Sequence, residues 1–507
     1  MINCKELRNK FKEQGCTFTI VCPTDPDYDK SRIIANSRFN YYPLAIGYCE
    51  NAEDVSCAIK ICKEAGLHLR IRSGGHQHEG MCSDNDVFII DLSKIHTIRY
   101  TDNTNDYAWI PPGKKLQEVY KELESKNRII PGGGCGSVNV GGLTQGGGWG
   151  LSARKYGLTA DNIIEAEIVL ANGKIVKANK DSYSELFWAI RGGGGGNFGV
   201  ITDFLFKLSP LKDNVTTFEL HWPKDKMLKI AKKWMQELPT HTCNLTTACR
   251  LSVTDQNTPS RTAILLVGQF YGEIPDLQKI LQPFYDISKP TYELYESQTY
   301  TEIVNALLHS KKQSEPLPSL LAKRQTRLGS LLQPTVSLVK DEEAPTQTCD
   351  GPHPHKISSA FPIYDDALVD KIVTYLDNTK ASEVVNLYLS LHGMGGAIQD
   401  FTEGPFPYRA KDFLLQFQAW WSNPEDPNTE KYIKWIEDFR TALQPHVEGA
   451  FINFPDASLV NRPDTPKGRI ELLQYYYGDN LPKLIEIKKQ VDPENLFSFG
   501  MSIPTET

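Results

Sequence analysis

The chain is missing several features, and each absence removes a class of function. No run approaches the ~18 consecutive apolar residues of a membrane-spanning helix, so no span is expected. No basic tract occurs and the formal net charge is -7, which disfavours a nucleic-acid or anionic-membrane partner. The eleven cysteines contain no CxxC pair, which leaves a structural zinc site without support. No GxxxxGK[ST] loop is present. No GxGxxG lies between a strand and a helix with an acidic residue at the required distance, so a Rossmann reading is poor. The opening MINCKELRNKFKEQG is charged and helix-like with no apolar core, unlike a secretory signal. With the cysteines odd in number and scattered, most are expected to be reduced thiols in a cytoplasmic protein.

The chain does have the length and composition of an ordered globular protein. Its 507 residues exceed what one core usually supports, so two domains are expected. Hydrophobic residues make up 40% and charged residues 23%, which argues against disorder. EDVSCAIKICKEAG (53–66) has helical apolar spacing and a glycine stop. LHLRIR and VFIIDLS read as strands, and KKLQEVYKELES as a helix. IIEAEIVLANGKIVKAN reads as a hairpin turning at Asn172-Gly173. Beyond residue 210, FELHWP, AILLVGQFYG, VVNLYLSLHG and FLLQFQAWW look like strands between helical stretches. Pro/Asp/Thr-rich loops such as 342–355 interrupt them. PKLIEIKKQV reads as a final helix. The fold class is α+β, with residues 1–210 and 211–450 as separate domains and 451–507 as a closing segment.

Three glycine-rich stretches carry the chemistry: RSGGHQHEG (72–80), PGGGCGSVNVGGLTQGGGWG (131–150) and RGGGGGNFGVIT (191–202). Glycine lets backbone amides turn toward an anion and lets the chain approach it closely. Three such loops, each beside a strand-like run, point to a large phosphate-bearing ligand such as a dinucleotide. His76 and His78 are spaced as an HxH metal pair, but no further ligand lies at a recognisable spacing. Cys135 sits among glycines, where a ligand can approach the sulfur, a setting for reactivity more than packing.

These three stretches, with ELFWAI before the third and VDPENLFSFGMSIP near the end, resemble the berberine-bridge-enzyme-like oxidases. That family belongs to the vanillyl-alcohol-oxidase (PCMH-type) flavoprotein superfamily, and the resemblance runs from about residue 30 to 504. It implies a two-part PCMH-type FAD-binding domain and an α+β substrate domain with an antiparallel sheet. The closing segment 451–507 would return to the FAD domain. It also implies a bicovalent FAD, with His76 on the flavin 8α carbon and Cys135 on C6. Arg72, Ser73, Gly74, Gly75 and Gln77 would cradle the pyrophosphate. Gly141, Gly142, Thr144, Gly146, Gly147 and Gly148 would follow the isoalloxazine and ribityl chain, Gly199 and Val200 the adenine side, and Asn453 would contact the flavin. The sequence departs from the family at His78, where Tyr is most common, at Gly134, Gly136 and Asn139 around Cys135, and at Met501.

The implied reaction is oxidation of an alcohol, sugar or secondary-metabolite C–H by hydride transfer to the flavin, which O2 reoxidises to give H2O2. Val138, small at a position associated with oxygen access in the family, leans toward an oxidase. The rival readings are a dehydrogenase with another acceptor and a flavin-binding protein that has lost its base. Alcohol oxidation needs a proton acceptor at the hydroxyl. Many relatives have Tyr where AFINFPDASL offers Phe454, and others have a carboxylate on the strand that here offers Gln416 and Gln418, which share a face. The candidate replacements are Tyr408, His392, Tyr476 and Tyr477. Trp420, Trp421 and Tyr408 hint at an aromatic cleft for sugars or flat rings.

Overall fold

Asn3 starts the first helix, Cys4–Glu13, by a reciprocal cap. Its side chain accepts from the Glu6 amide, and the Glu6 carboxylate accepts from the Asn3 amide, which satisfies two amides the helix leaves unpaired. The computed structural model describes residues 3–101, 103–211, 215–238, 241–254, 263–298, 352–363, 366–380 and 385–506. Cys349 and most of the Pro/Asp/Thr-rich stretch 342–355 lie outside them.

Strands β1 (Thr19–Val21), β2 (Ala45–Tyr48), β3 (Leu69–Arg72) and β4 (Phe88–Asp91) form a mixed sheet in the order β1-β2-β4-β3. The parallel pairs β2–β4 and β3–β4 need a crossover, supplied between β2 and β3 by the helix Ala52–Glu64. Asn51 caps that helix at the Asp54 amide, and Gly66 follows its end. Every residue of β4 is buried: Phe88, Ile89 and Ile90 as the apolar run of a parallel strand, and Asp91 as a paired carboxylate.

Next come β5 (Arg99–Tyr100), β6 (Tyr107–Ile110), β7 (Arg128–Ile129), β8 (Ile163–Val169), β9 (Ile175–Asn179), β10 (Val200–Lys207) and β11 (Ser209–Pro210). β7 and β11 pair with each other, and the rest form an antiparallel sheet ordered β5-β6-β10-β8-β9. β8 and β9 are the predicted hairpin. Gly173 takes φ +78°, and the Lys174 amide donates to Asn172 Oδ1 at 2.9 Å.

The third sheet contains β12 (Val215–Trp222), β13 (Leu245–Ser252), β14 (Ile264–Phe270), β15 (Tyr292–Gln298), β16 (His355–Pro362), β17 (Val385–Gly393), β18 (Phe413–Trp421) and β19 (Val447–Glu448). Its order is β15-β12-β14-β13-β17-β18-β16-β19, antiparallel throughout. One face packs in a core with apolar residues of the helices Met227–Glu237 and Thr429–Ala442 and of 366–378. The alternate residues form a second, polar face that is also buried. A buried polar face is the informative anomaly, because burial of such groups requires partners. The closing helices Pro466–Tyr477 and Leu481–Val491 enter the core shared by β6, β8 and β10.

The cysteines correct the sequence expectation. Cys4 pairs with Cys22 and Cys16 with Cys57, at Cα separations of 5.8 and 6.4 Å, and Cys135 is also disulfide-bonded. Half of the ten described cysteines are therefore oxidised, while Cys49, Cys62, Cys82, Cys243 and Cys249 are free. Packing of the Cys4–Glu13 helix on the Ala52–Glu64 helix brings together residues that spacing along the chain does not connect.

Candidate active site

The chain leaves β3 through Ser73-Gly74-Gly75, where Gly75 takes φ +70°, a conformation that favours glycine. Asn139 clamps this turn to the second glycine loop: its Nδ2 donates to the Ser73 carbonyl at 3.0 Å and the Gly113 carbonyl at 2.8 Å. A β-carbon on Gly74 would lie 2.7 Å from Asn139 Oδ1, so the two loops touch only because that residue is glycine. The third loop joins through the Gly194 amide, which donates to the Gln145 carbonyl at 2.9 Å. Asn453 closes the ring: its Oδ1 accepts from the Gly148 amide at 2.9 Å and its Nδ2 donates to the Leu143 carbonyl at 3.1 Å.

The three loops thereby meet on one cavity. Ser73, Gly74, Gly75, His76, Gln77, Cys135, Val138, Gly141, Gly142, Gly146, Gly199 and Asn453 all line it. Several expected residues lie elsewhere. Arg72 is buried in an ion pair with Asp91, Nε to Oδ2 2.5 Å, and ties β3 to β4. Thr144 points into the protein from the helix Val140–Gln145, and Val200 belongs to the core beneath the first sheet. Gly147 and Gly148 take φ +112° and +80°, which favour glycine, and a β-carbon on Gly148 would lie close against Thr159. The three tyrosine candidates are packing residues with satisfied hydroxyls. Tyr408 donates to the Tyr475 carbonyl at 2.7 Å, Tyr476 to the Asp456 carbonyl at 3.2 Å and Tyr477 to the Gly193 carbonyl at 2.8 Å. Burial pushes the Tyr408 phenol up to about 12 and also raises those of Tyr476 and Tyr477 well above the ordinary value, so none is a ready proton acceptor.

The opposite wall is the polar face of the large sheet. Gln416, Gln418 and Trp420 alternate along β18 and share that face with His392 of β17 and His355 of β16. Gln418 is fully engaged. Its Oε1 accepts from Tyr388 Oη at 2.8 Å and Trp420 Nε1 at 3.0 Å, and its Nε2 donates to Gln416 Oε1 at 2.9 Å. Gln416 Oε1 also accepts from His392 Nε2 at 2.9 Å. The orientation assigned to both amides leaves Gln416 Nε2 as a donor for a bound molecule. The two glutamines are thus an orienting device and cannot serve as bases. His392 donates through Nε2, and its Nδ1 is sealed from solvent with no partner among the described residues. Burial lowers its pKa to about 4. Phe454 stands between two imidazoles, 6.0 Å from the His392 ring and 6.2 Å from the His78 ring.

Sequence reasoning missed His355. Its Nε2 meets His78 Nδ1 at 2.9 Å, and its ring stacks on Trp420 at 4.1 Å between centroids. The HPH spacing of 353–355 at the mouth of a strand was the available signal.

Residues 43–179 match the family model for FAD binding domains, and residues 450–504 match that described as berberine and berberine like. The solved structure of Physcomitrella patens BBE-like 1 has a TM-score of 0.81 at 24% identity, covering 99% of each chain. A chitooligosaccharide oxidase gives 0.81 at 22%, covering 99% of this chain and 100% of its own. The O-acetylstemmadenine oxidase of Catharanthus roseus is 30% identical over 525 residues, 99% of this chain and 93% of its own length. The chain belongs to the berberine bridge enzyme-like family. It is an FAD-linked oxidoreductase, as is the uncharacterized Bacillus subtilis protein YgaK, 28% identical over 96% of this chain and 97% of its own.

The cavity suits the FAD of a berberine bridge enzyme-like protein. Glycine backbone lines it, and no aspartate or glutamate among the described residues does, so nothing there repels a pyrophosphate. Gly142 is the clearest sign. It sits inside a helix, where glycine costs about 1 kcal/mol relative to alanine, yet a β-carbon there would meet nothing within 4 Å. Protein packing gives no reason for the missing side chain, whereas a ligand lying against the helix does. Gly142→Leu should therefore fold with a melting temperature equal to or above that of the parent apoprotein. It should lose most bound flavin, read as flavin absorbance per polypeptide.

Proposed function

We propose that this protein is an oxidase carrying bicovalent FAD that oxidises the carbinol C–H of a small alcohol, sugar or secondary metabolite and uses O2 as electron acceptor. One observation carries the reading: His76 and Cys135, the hydrogen-bonding amide of Gln416 and the aromatic Trp420 all line the same cavity. His76 would hold the flavin 8α carbon and Cys135 its C6. A glucooligosaccharide oxidase from Acremonium strictum with the same fold is described with 6-S-cysteinyl, 8α-N1-histidyl FAD. When bound, the FAD supplies a two-electron acceptor for hydride and returns the electrons to O2 as H2O2.

The chain's own residues do the rest. Gln416 Nε2 donates to the substrate oxygen and fixes its position, while the fixed Gln418–Gln416–His392 chain keeps that amide from rotating. Trp420, held by the His355 ring, offers a flat surface to a sugar or an aromatic ring. Phe454 and Trp149 keep water from the reacting carbon. Val138 beside Cys135 leaves room for O2.

A second reading follows from the Cys135 disulfide. One sulfur cannot hold both a disulfide and a flavin thioether, so an enzyme that keeps the disulfide carries FAD through His76 alone. Acid denaturation followed by intact mass tests the attachment: flavin mass added to the polypeptide supports it, and free flavin in the supernatant defeats it. Oxygen consumption with peroxide formation over a panel of alcohols and oligosaccharides tests the oxidase reading. Flavin reduction by a panel member without oxygen uptake would make the protein a dehydrogenase.

A further inference from the structure

Oxidation of a carbinol requires a lone pair at the hydroxyl, and the cavity offers few. No carboxylate and no phenol line it among the described residues. His76 is the flavin anchor, His392 Nδ1 is sealed off, and both ring nitrogens of His355 are engaged.

Two further histidines, His78 and His353, line the cavity, and the tautomer of His78 follows from its neighbours. His355 Nδ1 lies 2.9 Å from the His353 carbonyl, which only accepts, so Nδ1 carries the proton. Burial and the neighbouring His78 hold the His355 pKa well below its ordinary value, so the ring is neutral and its Nε2 is a bare lone pair. His78 Nδ1, 2.9 Å away, must then donate to it. Burial, with His76 nearby, lowers the His78 pKa to about 3, so this ring is neutral as well and its Nε2 has no proton. That Nε2 has no hydrogen-bond partner among the described residues and is not one of the sealed orphan atoms, so it opens on the cavity that His78 lines. The ring stands beside Phe454, where a phenol is absent. The groups that face the pair are His76 on the same loop, Arg38 from the segment before β2, Trp420 from the large sheet and the His353 carbonyl from the segment leading into β16.

We propose that His78 is a catalytic residue whose Nε2 accepts the substrate hydroxyl proton, with His355 as the positioning residue that fixes its tautomer. This rests on the carbinol-oxidase reading above. The O–H bond breaks toward His78 Nε2, and its electron pair becomes the second C–O bond. The C–H hydrogen leaves with its pair to the FAD. A weak base suffices, because a carbinol losing hydride becomes a protonated carbonyl, a far stronger acid than imidazolium. A base with so low a pKa also remains unprotonated in mild acid.

The test uses the flavin-loaded protein and His78→Phe, His78→Ala and His355→Phe. In His78→Phe, flavin reduction by the best substrate should fall about 10²–10⁴-fold with covalent flavin content unchanged. Imidazole should restore part of the rate in His78→Ala. Nitrogen NMR of the ring in wild type should show the proton on Nδ1. Nε2 should stay bare through the acid range where an ordinary histidine, of pKa about 6.5, becomes protonated. In His355→Phe that tautomer preference should be lost. Wild-type reduction rates in His78→Phe, or a proton on Nε2 of the neutral ring, would overturn the assignment. If no alcohol or sugar reduces the wild-type flavin, the carbinol reading itself falls and the proton step with it. The NMR result, obtained without substrate, separates that failure from a wrong tautomer.

Discussion

His76→Ala combined with Cys135→Ala is expected to release all flavin into the supernatant on acid denaturation, while either single variant keeps the colour in the pellet. His76 and Cys135 come from different glycine loops, which Asn139 holds against each other, so each reaches the cavity independently. Losing one anchor leaves the ring tethered, and losing both leaves only non-covalent contacts. Activity should fall with attachment. For a two-electron couple, each ~30 mV by which the flavin potential drops removes about 1.4 kcal/mol of driving force, a factor of ten in the equilibrium for hydride transfer. If His76→Ala alone already releases every flavin, Cys135 does not hold the ring and the disulfide reading prevails. Intact mass of each variant, with and without reductant, distinguishes the cases.

The second large effect concerns stability. Lys356 on β16 is buried and bridges two buried carboxylates, Glu79 at 2.7 Å and Asp456 at 2.6 Å. Glu79 ends the loop that carries His76 and His78, and Asp456 follows Phe454, so one ammonium pins both to the large sheet. Arg38 adds a contact to Glu79 at 3.2 Å. Lys356→Met removes the shared cation and leaves two carboxylates in low dielectric, for an expected loss of about 3–5 kcal/mol, read from the urea midpoint. The same cluster sets an acid limit. Burial pushes the Asp456 carboxyl up, but Lys356 more than offsets this and holds it at about 2, below its ordinary value of 3.8. A folded-state pKa below the unfolded one means that stabilisation is complete above about pH 4 and is lost as pH falls through 2. Wild type should show that loss in urea midpoints measured against pH, and Lys356→Met should lack this component.

Much of the frame was legible because it is local. The apolar start of β4, the Asn172-Gly173 turn and the helix ending before Gly66 each follow from residues within a few positions of one another. Of the large sheet, β12, β14, β17 and β18 were legible in the same way, but β13, β15, β16 and β19 were not, nor was the order, since β13 pairs with β17 across a wide gap in sequence. The site divided along the same line. The residues lining the cavity from the glycine loops could be named from motifs, but Arg72, Thr144, Gly147, Gly148 and Val200 could not be told apart from them. Asp91 holds Arg72, Thr159 lies against Gly148, and Thr144 and Val200 are buried in the protein.

The sequence by itself determined the glycine loops, the placement of His76 and Cys135 within them, and the absence of a phenol at Phe454. These are properties of composition and spacing. Only the tertiary structure decided which candidate proton acceptors reach the cavity. Tyr408, Tyr476 and Tyr477 turned to backbone carbonyls elsewhere, while His355, 277 residues along the chain from His78, arrived within hydrogen-bond distance of it. A hydrogen bond fixes a tautomer only through its partner, and no local pattern encodes a partner brought by a different sheet.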